Sequence, residues 1–207
     1  MTDIPKISYS IADIPIVDSQ RRWELKPSQA ALLVHDYQNY FLNFLSPLLQ
    51  QELLDATNRI IKAARNYEMP IIFSGQAGYG DRAERGIIRD LWGKGMASSG
   101  TEIELDPRLS RSSTDYTVTK QRYSAFASTN LASILSATRR NQLVLCGIYG
   151  SVGIIATAYD CVNRDLESFL IPDAIADFTS VDHELTVNLL SAYSSDLLYS
   201  SEFGDDG

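Results

Sequence analysis

The stretch Ala30-Ala31-Leu32-Leu33-Val34-His35-Asp36 is an apolar run that ends abruptly in a carboxylate, and it decides the fold of this 207-residue chain. A short uninterrupted apolar run before a polar turn is typical of a strand buried on both faces, as in a parallel α/β sheet. Asp36 then stands at the carboxyl end of that strand. Because ligands of open α/β sheets bind at this edge, Asp36 is a candidate for chemistry.

Short apolar runs alternate with longer amphipathic stretches along the chain. The runs predict strands near residues 30–35, 70–74, 116–120, 142–148, 167–171 and 197–200. The amphipathic stretches predict helices near residues 48–67, 84–91, 128–138, 151–164 and 181–194. This alternation is the signature of right-handed βαβ units. The sequence therefore predicts a three-layer, Rossmann-like α/β/α fold, with helices on both faces of a mostly parallel six-stranded sheet.

Two further predicted strands carry polar groups to the same edge of the sheet. One ends at Lys120, and the other runs into the turn from Tyr149 to Gly153. Asp36, Lys120 and this turn therefore form one hypothetical site. The glycine-rich segment 75–115 is expected to be a long excursion over that edge with one short helix, and loops of this length are usually functional.

The composition fits one domain over residues 1–207, with an N-terminal extension over 1–28 and a frayed acidic tail over 200–207. Hydrophobic residues make up 44% of the chain and charged residues 21%, which allows a sizeable core. The net charge of −8 argues against nonspecific nucleic-acid binding, although a local cationic pocket can still hold an anionic substrate.

The sequence shows neither a signal peptide nor a membrane span. No stretch approaches the roughly 20 apolar residues that a span requires, and Met1 to Ile16 lacks a basic region followed by a long apolar one. Cys146 and Cys161 fall in a predicted strand and a predicted helix, which favours reduced thiols over a disulfide framework. We therefore expect a cytoplasmic protein without membrane or nucleic-acid partners.

Each candidate residue also has a plainer interpretation. A lone aspartate after a strand is more often a turn former or a helix cap than a catalyst. Lys120 could be a solvated lysine at a strand end, Trp92 a core residue and Arg85 a charge on a helix surface.

Three common kinds of site are not supported by the sequence. Gly147, Gly150 and Gly153 do not match the G-x-G-x-x-G of a dinucleotide site. The G-x-S-x-G elbow of a serine hydrolase is missing. The two histidines, His35 and His183, are not in an H-x-x-x-H arrangement. We therefore predict no cofactor and no metal.

Five separated segments of the sequence favour a functional site over these plainer interpretations. They are Leu33-Val34-His35-Asp36-Tyr37-Gln38-Asn39-Tyr40-Phe41, Asp90-Leu91-Trp92-Gly93-Lys94-Gly95-Met96, Thr119-Lys120-Gln121-Arg122-Tyr123-Ser124-Ala125-Phe126, Asn141-Gln142-Leu143-Val144-Leu145-Cys146-Gly147-Ile148-Tyr149 and Asp173-Ala174-Ile175-Ala176-Asp177-Phe178. Their order and spacing resemble the isochorismatase-like hydrolase superfamily and, within it, the true isochorismatases, above all the stand-alone members of phenazine pathways. The K-x-R-Y-S-A-F stretch distinguishes isochorismatases from most of the superfamily.

The resemblance also shows what the site lacks. Cysteine hydrolases of the superfamily use an Asp, a Lys and a Cys, and Gly153 occupies the position of that Cys here. Neither Cys146 nor Cys161 can replace it, because one lies before the turn and the other lies two helical turns beyond it. Covalent thiol catalysis is therefore excluded. True isochorismatases also lack the thiol, but they usually carry Tyr-Ala-His where this chain has Tyr149-Gly150-Ser151.

The resemblance implies a hydrolase that cleaves the enolpyruvyl vinyl ether of 2-amino-2-deoxyisochorismate or isochorismate and releases pyruvate. Asp36 would be the general acid, with a pKa raised by an apolar pocket. Lys120 would orient Asp36 and bind an anionic or hydroxyl group of the substrate. Gln76 and Arg85 would contact a substrate carboxylate, and the backbone amides of residues 149–153 would meet polar oxygens.

The remaining implied features concern the walls of the site and the assembly. Trp92, Tyr123 and Phe41 would exclude water and help to keep the acid protonated. A cis peptide bond would precede Tyr149, and the protein would be a homodimer.

Two alternatives stay open. One is a siderophore-pathway isochorismatase strictly for isochorismate; such enzymes often carry a C-terminal carrier domain, so a chain ending at residue 207 favours the stand-alone type. The other is a noncatalytic binding or scaffold protein with the same fold, for which Gly150-Ser151 is the only hint.

Overall fold

One parallel sheet organises the computed structural model, which describes residues 4–17, 20–78, 82–97 and 99–203. Its strands are β1 Ala30–His35, β2 Ile71–Gln76, β3 Tyr116–Lys120, β4 Gln142–Ile148, β5 Glu167–Ala176 and β6 Ser195–Leu197. Their spatial order is β3-β2-β1-β4-β5-β6, and every neighbouring pair is parallel. The direction of strand succession reverses between β1 and β4. In such sheets this switch point, at the carboxyl ends of the strands, forms the ligand crevice.

The helices cover both faces of the sheet. They are α1 Asn39–Leu42, α2 Pro47–Asn66, α3 Arg82–Arg85, α4 Ile88–Trp92, α5 Leu131–Ala137, α6 Ile155–Val162 and α7 Ser180–Tyr193, with a π-helical turn, Gly150–Ile154, leading into α6. Short 3-10 turns lie at Ile11–Asp13, Pro27–Gln29, Thr101–Ile103 and Ser200–Glu202.

The side chains of β1 alternate between the two faces of the sheet, and each set packs into its own hydrophobic cluster. Leu32 and Val34 pack into the cluster that includes α2, whereas Ala31 and Leu33 pack into the cluster that includes α5, α6 and α7. Successive side chains of a strand point to opposite faces, so an all-apolar strand must be covered twice. The predicted three-layer α/β/α fold is therefore confirmed.

Several predicted elements differ from the structure, among them β5, which extends to Ala176 beyond its predicted end at residue 171. The helix predicted at 84–91 is divided into α3 and α4 around Gly86, which has a φ of 57°. The helix predicted at 151–164 begins as a π-helical turn. The strand predicted at 197–200 is wrong, because β6 consists of the buried polar residues Ser195 and Asp196 followed by Leu197. Side-chain partners satisfy these polar groups, and a hydrophobic pattern cannot show them.

Both ends of the described chain are tied to the domain. In the N-terminal extension, the backbone N–H of Ile7 donates to the carbonyl oxygen of Phe44 at 2.7 Å. In the expected frayed tail, the backbone N–H of Ser200 donates to Asp173 at 2.8 Å, and Phe203 is buried. The tail is therefore packed over residues 200–203, and residues 204–207 lie outside the described residues. Within the described ranges, no helix is long and apolar enough to cross a membrane.

The π-helical turn approaches β1 so closely that a glycine is needed at one position. A Cβ atom on Gly153 would lie 2.1 Å from Cε1 of His35, whose ring is fully buried. The Nδ1 atom of His35 lies 3.0 Å from the carbonyl oxygen of Ile148, which fixes the ring in this place. Burial lowers the pKa of His35 to about 4, so the ring is neutral at pH 7.

We expect Gly153→Ala to destabilise the protein by about 1–3 kcal/mol, because the added methyl group overpacks the contact with His35. The double variant Gly153→Ala/His35→Ala should be destabilised by less than the sum of the two single variants, since truncating the ring opens space for the methyl group. Urea unfolding of the four proteins measures this coupling. Additive free energies of unfolding would show that the two residues do not compete for one volume.

Candidate active site

The candidate site is centred on Asp36, at the carboxyl end of β1. Its φ of 47° turns the chain sharply where the strand stops, and its carboxyl group is buried. The Oδ1 atom accepts a hydrogen bond from the Ser74 hydroxyl at 2.8 Å, and Oδ2 lies 2.7 Å from Nζ of Lys120. Asp36 and Lys120 thus form a buried ion pair across β2, the strand that lies between β1 and β3.

Lys120 uses its three ammonium protons inside the protein. Besides Asp36, Nζ donates to the carbonyl oxygens of Arg122 at 2.9 Å and Tyr123 at 3.2 Å. A lysine has three donors, so this set is complete. Lys120 is buried and not solvated, and it orients Asp36 as expected. In this arrangement, it has no proton left for a substrate, which contradicts the second part of its expected role.

The protonation state of Asp36 also differs from the expectation. Burial raises the pKa of the Asp36 carboxyl, but the charge and hydrogen bond of Lys120, with smaller contributions from His35 and Ser74, outweigh burial and bring the pKa below its usual range. The expected rise in the pKa of Asp36 is therefore wrong, since the opposing effect of Lys120 exceeds that of burial. Asp36 is a carboxylate here at neutral pH.

A cavity of about 430 Å³ opens beside this ion pair at the switch point of the sheet. All nine predicted site residues line it, namely Asp36, Phe41, Gln76, Arg85, Trp92, Lys120, Tyr123, Tyr149 and Gly153. They come from five separate stretches of the chain. The structure therefore brings them together, while their individual roles stay predictions.

Arg85 brings a buried guanidinium to the cavity. The residue is 3% exposed, and its Nε and Nη1 atoms have no hydrogen-bond partner in the described part of the chain. Its guanidinium packs against Gly95, where a Cβ atom would lie 2.6 Å from Nη1. Burial lowers the pKa of Arg85, but a guanidinium stays charged in proteins. Buried guanidinium nitrogens without hydrogen-bond partners are costly, so this position is suited to an anionic group of a ligand.

Gln76 lies beside the acid in the cavity wall. It ends β2, opposite Lys120 in the β2–β3 register. Its Nε2 atom is 3.5 Å from Oδ2 of Asp36, at the outer limit of a hydrogen bond. The amide can therefore contact a bound ligand and Asp36 from the same place.

Aromatic side chains form one wall of the cavity. The indole N–H of Trp92 donates to the Tyr123 hydroxyl at 2.7 Å, and the Trp92 ring stacks on Phe178 with centroids 5.8 Å apart. Phe178 stacks in turn on Tyr149 at 4.3 Å, and Tyr149 meets Phe41 edge to face at 5.8 Å. These contacts place the three predicted wall residues in one continuous aromatic surface.

Backbone N–H groups of the turn after β4 donate hydrogen bonds within the protein. The peptide bond between Ile148 and Tyr149 is cis, as the resemblance implied. The N–H groups of Val152 and Gly153 donate to the carbonyl oxygen of Tyr149, and that of Ser151 donates to Asp177 at 2.6 Å. The expectation that these amides meet substrate oxygens is therefore wrong for residues 151–153, because the protein already occupies them.

Asp177 binds the turn at Gly150-Ser151, where the chain departs from the family pattern. Its buried carboxyl group also accepts the Ser151 hydroxyl at 2.8 Å, the Phe178 N–H at 2.9 Å and the Thr186 hydroxyl at 3.2 Å. A Cβ atom on Gly150 would lie 2.8 Å from Oδ2 of Asp177. Burial raises the pKa of Asp177. The carboxyl group thus occupies the place at the helix amino end that an anionic ligand would otherwise take.

Several cavity or site residues were missed by the sequence reasoning. Ser74, Met96 and Phe178 contact the ion pair or line the cavity. Phe178 stands in one of the five segments that carry the resemblance, which is a signal that could have identified it. Met96 stands in another of these segments, so the same signal could have identified it. Ser74 could have been found from the pairing of β1 with β2.

Clusters of metal ligands and exposed thiols do not occur at the cavity among the described residues. Across the described ranges, no three residues among His, Cys, Asp and Glu lie close enough together to hold a metal ion. Cys146 and Cys161 are free and fully buried, and burial raises the pKa of both thiols.

Comparisons with known proteins agree with this geometry. Residues 30–200 match the model of the Isochorismatase domain family. The chain is similar to the phenazine biosynthesis protein PhzD of Pseudomonas fluorescens, with 38% identity over 187 residues that cover 88% of this chain and 89% of that protein. It is also similar to the enterobactin synthase component B of Escherichia coli strain K12, with 31% identity over 210 residues, 96% of this chain and 71% of that protein.

Solved structures show the same fold. A cysteine hydrolase from Pseudomonas syringae pv. phaseolicola 1448A superimposes with a TM-score of 0.81 at 22% identity, covering 87% of this chain and 93% of that chain. At that identity the match concerns the fold alone. The match over residues 30–200 and the identity to full-length relatives show that the chain belongs to the isochorismatase family of hydrolases.

Proposed function

We propose that this hydrolase cleaves the enolpyruvyl vinyl ether of 2-amino-2-deoxyisochorismate or isochorismate, without a covalent intermediate. The observation that carries the proposal is the combination in one cavity of a buried acid, Asp36, with the buried guanidinium of Arg85, between aromatic walls. Two nitrogen atoms of that guanidinium have no hydrogen-bond partner among the described residues. An anionic, single-ring substrate suits a cavity of about 430 Å³ with this lining. Similarity to a phenazine biosynthesis protein supports the 2-amino compound and a phenazine pathway.

The reaction begins with proton transfer from Asp36 to the terminal methylene carbon of the vinyl ether. This transfer forms a methyl group and an oxocarbenium ion, which water captures while its released proton returns to the Asp36 carboxylate. The resulting hemiketal collapses to pyruvate and the ring alcohol. Atoms and charges balance as hydrolysis, and Asp36 ends each cycle in the state in which it delivered the proton.

Lys120 acts on the acid and not on the substrate. Its three protons are bound within the protein, so its charge stabilises the carboxylate that forms when Asp36 gives up its proton. The acid must therefore take up its proton when the substrate binds. Two substrate carboxylates and the loss of water from the cavity both favour that protonation, because they oppose a third negative charge nearby.

The two substrate carboxylates require two cationic contacts. Arg85 can hold one of them, with Gln76 beside it. Lys94 is the exposed cation at the mouth of the same cavity, where the glycines at 93 and 95 both have positive φ. Because Lys120 has no free proton, we assign the second carboxylate to Lys94. The homodimer that the resemblance implied stays a prediction.

We expect Asp36→Asn to lower kcat by at least about 10²-fold, because the amide cannot deliver the proton. The matched control is Asp196→Asn, since Asp196 is also a buried carboxylate and pairs with Arg22 at 2.9 Å away from the cavity. Pyruvate release, measured with lactate dehydrogenase, should be lost in the first variant and kept in the second. Near-normal turnover of Asp36→Asn would remove the carboxyl group from the mechanism.

The lowered pKa of Asp36 predicts the direction of the pH dependence. In the free protein the protonated acid is a minor species at neutral pH, and its fraction grows as the pH falls. We therefore expect kcat/KM to rise about tenfold per pH unit between about pH 8 and pH 5. Pyruvate is measured in quenched samples after subtraction of the rate without protein. A flat profile over this range would contradict proton uptake by an ionised Asp36.

Substrate identity is tested by comparing kcat/KM for isochorismate, 2-amino-2-deoxyisochorismate and chorismate. The first two differ by one polar ring substituent, and one mispaired buried polar group costs about 1–3 kcal/mol. We expect both to be hydrolysed, with a modest preference for the 2-amino compound, and chorismate to be poor because its substituents are arranged differently. If chorismate is best, or if no compound yields pyruvate, the proposed function is wrong.

A further inference from the structure

Gln38 lies two residues beyond the proposed acid, and its side chain is bound to main chain on two sides. The residue is 2% exposed. Its Oε1 atom accepts the N–H of Gln76 at 2.7 Å, and its Nε2 atom donates to the carbonyl oxygen of Gln76 at 2.9 Å. The same Nε2 atom donates to the carbonyl oxygen of Ile103 at 2.7 Å. The carboxamide therefore has its acceptor and both of its donors engaged.

The Gln38 side chain bonds to the main chain of Gln76 in the way that a neighbouring strand would. The pairing of β1 with β2 ends where Asp36 leaves the strand with its positive φ, after its N–H has bonded to the carbonyl oxygen of Ser74 at 3.1 Å. Beyond that point no main chain of β1 faces Gln76. The Gln38 carboxamide takes this place, since it accepts from the N–H and donates to the carbonyl group as a strand would.

The fit between Gln38 and β2 is close. A Cβ atom on Gly75 would lie 3.2 Å from Cδ of Gln38, so the carboxamide packs directly against the β2 main chain. On the other side, Gln38 approaches Met96, whose sulfur is 3.5 Å from Nε2 and whose side chain lines the cavity. One side chain thus joins the end of β2 to the excursion that covers the site.

We propose that Gln38 is a positioning residue, which holds Gln76 against Asp36 and ties Met96, in the cavity wall, and Ile103 to the end of β2. A substrate carboxylate is thereby bound in register with the acid. The inference rests on the proposed function, because the register matters only if Asp36 delivers a proton to the bound substrate. Gln38 itself lies behind Gln76 and does not line the cavity.

The first test is a double-mutant cycle between Gln38 and Gln76. Gln38→Met keeps the length of the side chain and removes its hydrogen bonds, and we expect kcat/KM to fall roughly 10- to 100-fold, as for other displacements of positioned groups. If Gln38 acts through Gln76, the same substitution in a Gln76→Ala background should cost less than about a third of that factor. Full additivity of the two losses would overturn the proposal.

A matched control separates positioning from a general loss of stability. Gln142 is also a buried glutamine that bridges main chain, accepting the N–H of Lys26 at 2.7 Å and donating to the carbonyl oxygen of Glu24 at 2.8 Å, at the opposite edge of the sheet. Gln142→Met should lower the melting temperature about as much as Gln38→Met while kcat/KM stays at the wild-type value. An equal loss of kcat/KM in both variants would show that Gln38 is merely structural.

A third measurement does not depend on activity. Hydrogen exchange of the Gln76 amide should be faster in Gln38→Met than in the wild type, because this N–H donates to Gln38, and Gln142→Met should leave it unchanged. Unchanged protection in Gln38→Met would overturn the positioning role. If instead the wild type and Gln142→Met release no pyruvate, the proposed function fails, whereas full activity of these two with loss in Gln38→Met supports both.

Discussion

The buried ion pair between Asp36 and Lys120 is the constraint on which the rest of the site depends. It joins the ends of two strands that are not neighbours, so β2 between them must supply a side chain small and polar enough to complete it, and Ser74 does so. Removing one partner of such a pair typically costs about 3–5 kcal/mol, because an uncompensated charge stays behind. The site and the fold are therefore coupled. The sheet positions the two charged side chains, and their ion pair holds the carboxyl ends of β1 and β3 together.

The same pair determines what kind of substrate can be used. An acid held as a carboxylate beside a lysine is a poor proton donor until something shifts its pKa upward. A dianionic ligand can do this, since its charges and the exclusion of water both disfavour a further carboxylate. In the proposed reaction, the buried guanidinium of Arg85 binds such a ligand, since two of its nitrogen atoms have no hydrogen-bond partner within the described ranges. The negative charge of the substrate thus has two effects in this reaction. It binds the substrate to Arg85, and it raises the pKa of Asp36 so that this residue takes up its proton.

The sequence predicted the parts of this arrangement that depend on pattern. The apolar runs of β1 and β4 have the predicted bounds, because buried parallel strands carry a strong hydrophobic signal. The edge strand β3 also has its predicted bounds, although its side chains are mostly exposed. The nine site residues were found from strand ends and family resemblance. The sign of the Asp36 pKa shift was missed, because it depends on the 2.7 Å distance to Lys120, which no one-dimensional pattern contains. The hydrogen bonding of the turn after β4 was missed for the same reason, since Asp177 is separated from Ser151 by a helix and a strand.

Position 153 shows how closely the turn after β4 is fitted to β1. The resemblance places Gly153 where cysteine hydrolases of the superfamily would carry their thiol. The His35 ring fills the space that a Cβ atom at this position would need. A thiol there would require a change in β1 as well as in the turn. The glycine at position 153 is therefore required by two elements at once, the turn and β1, which agrees with the proposed mechanism without a covalent intermediate.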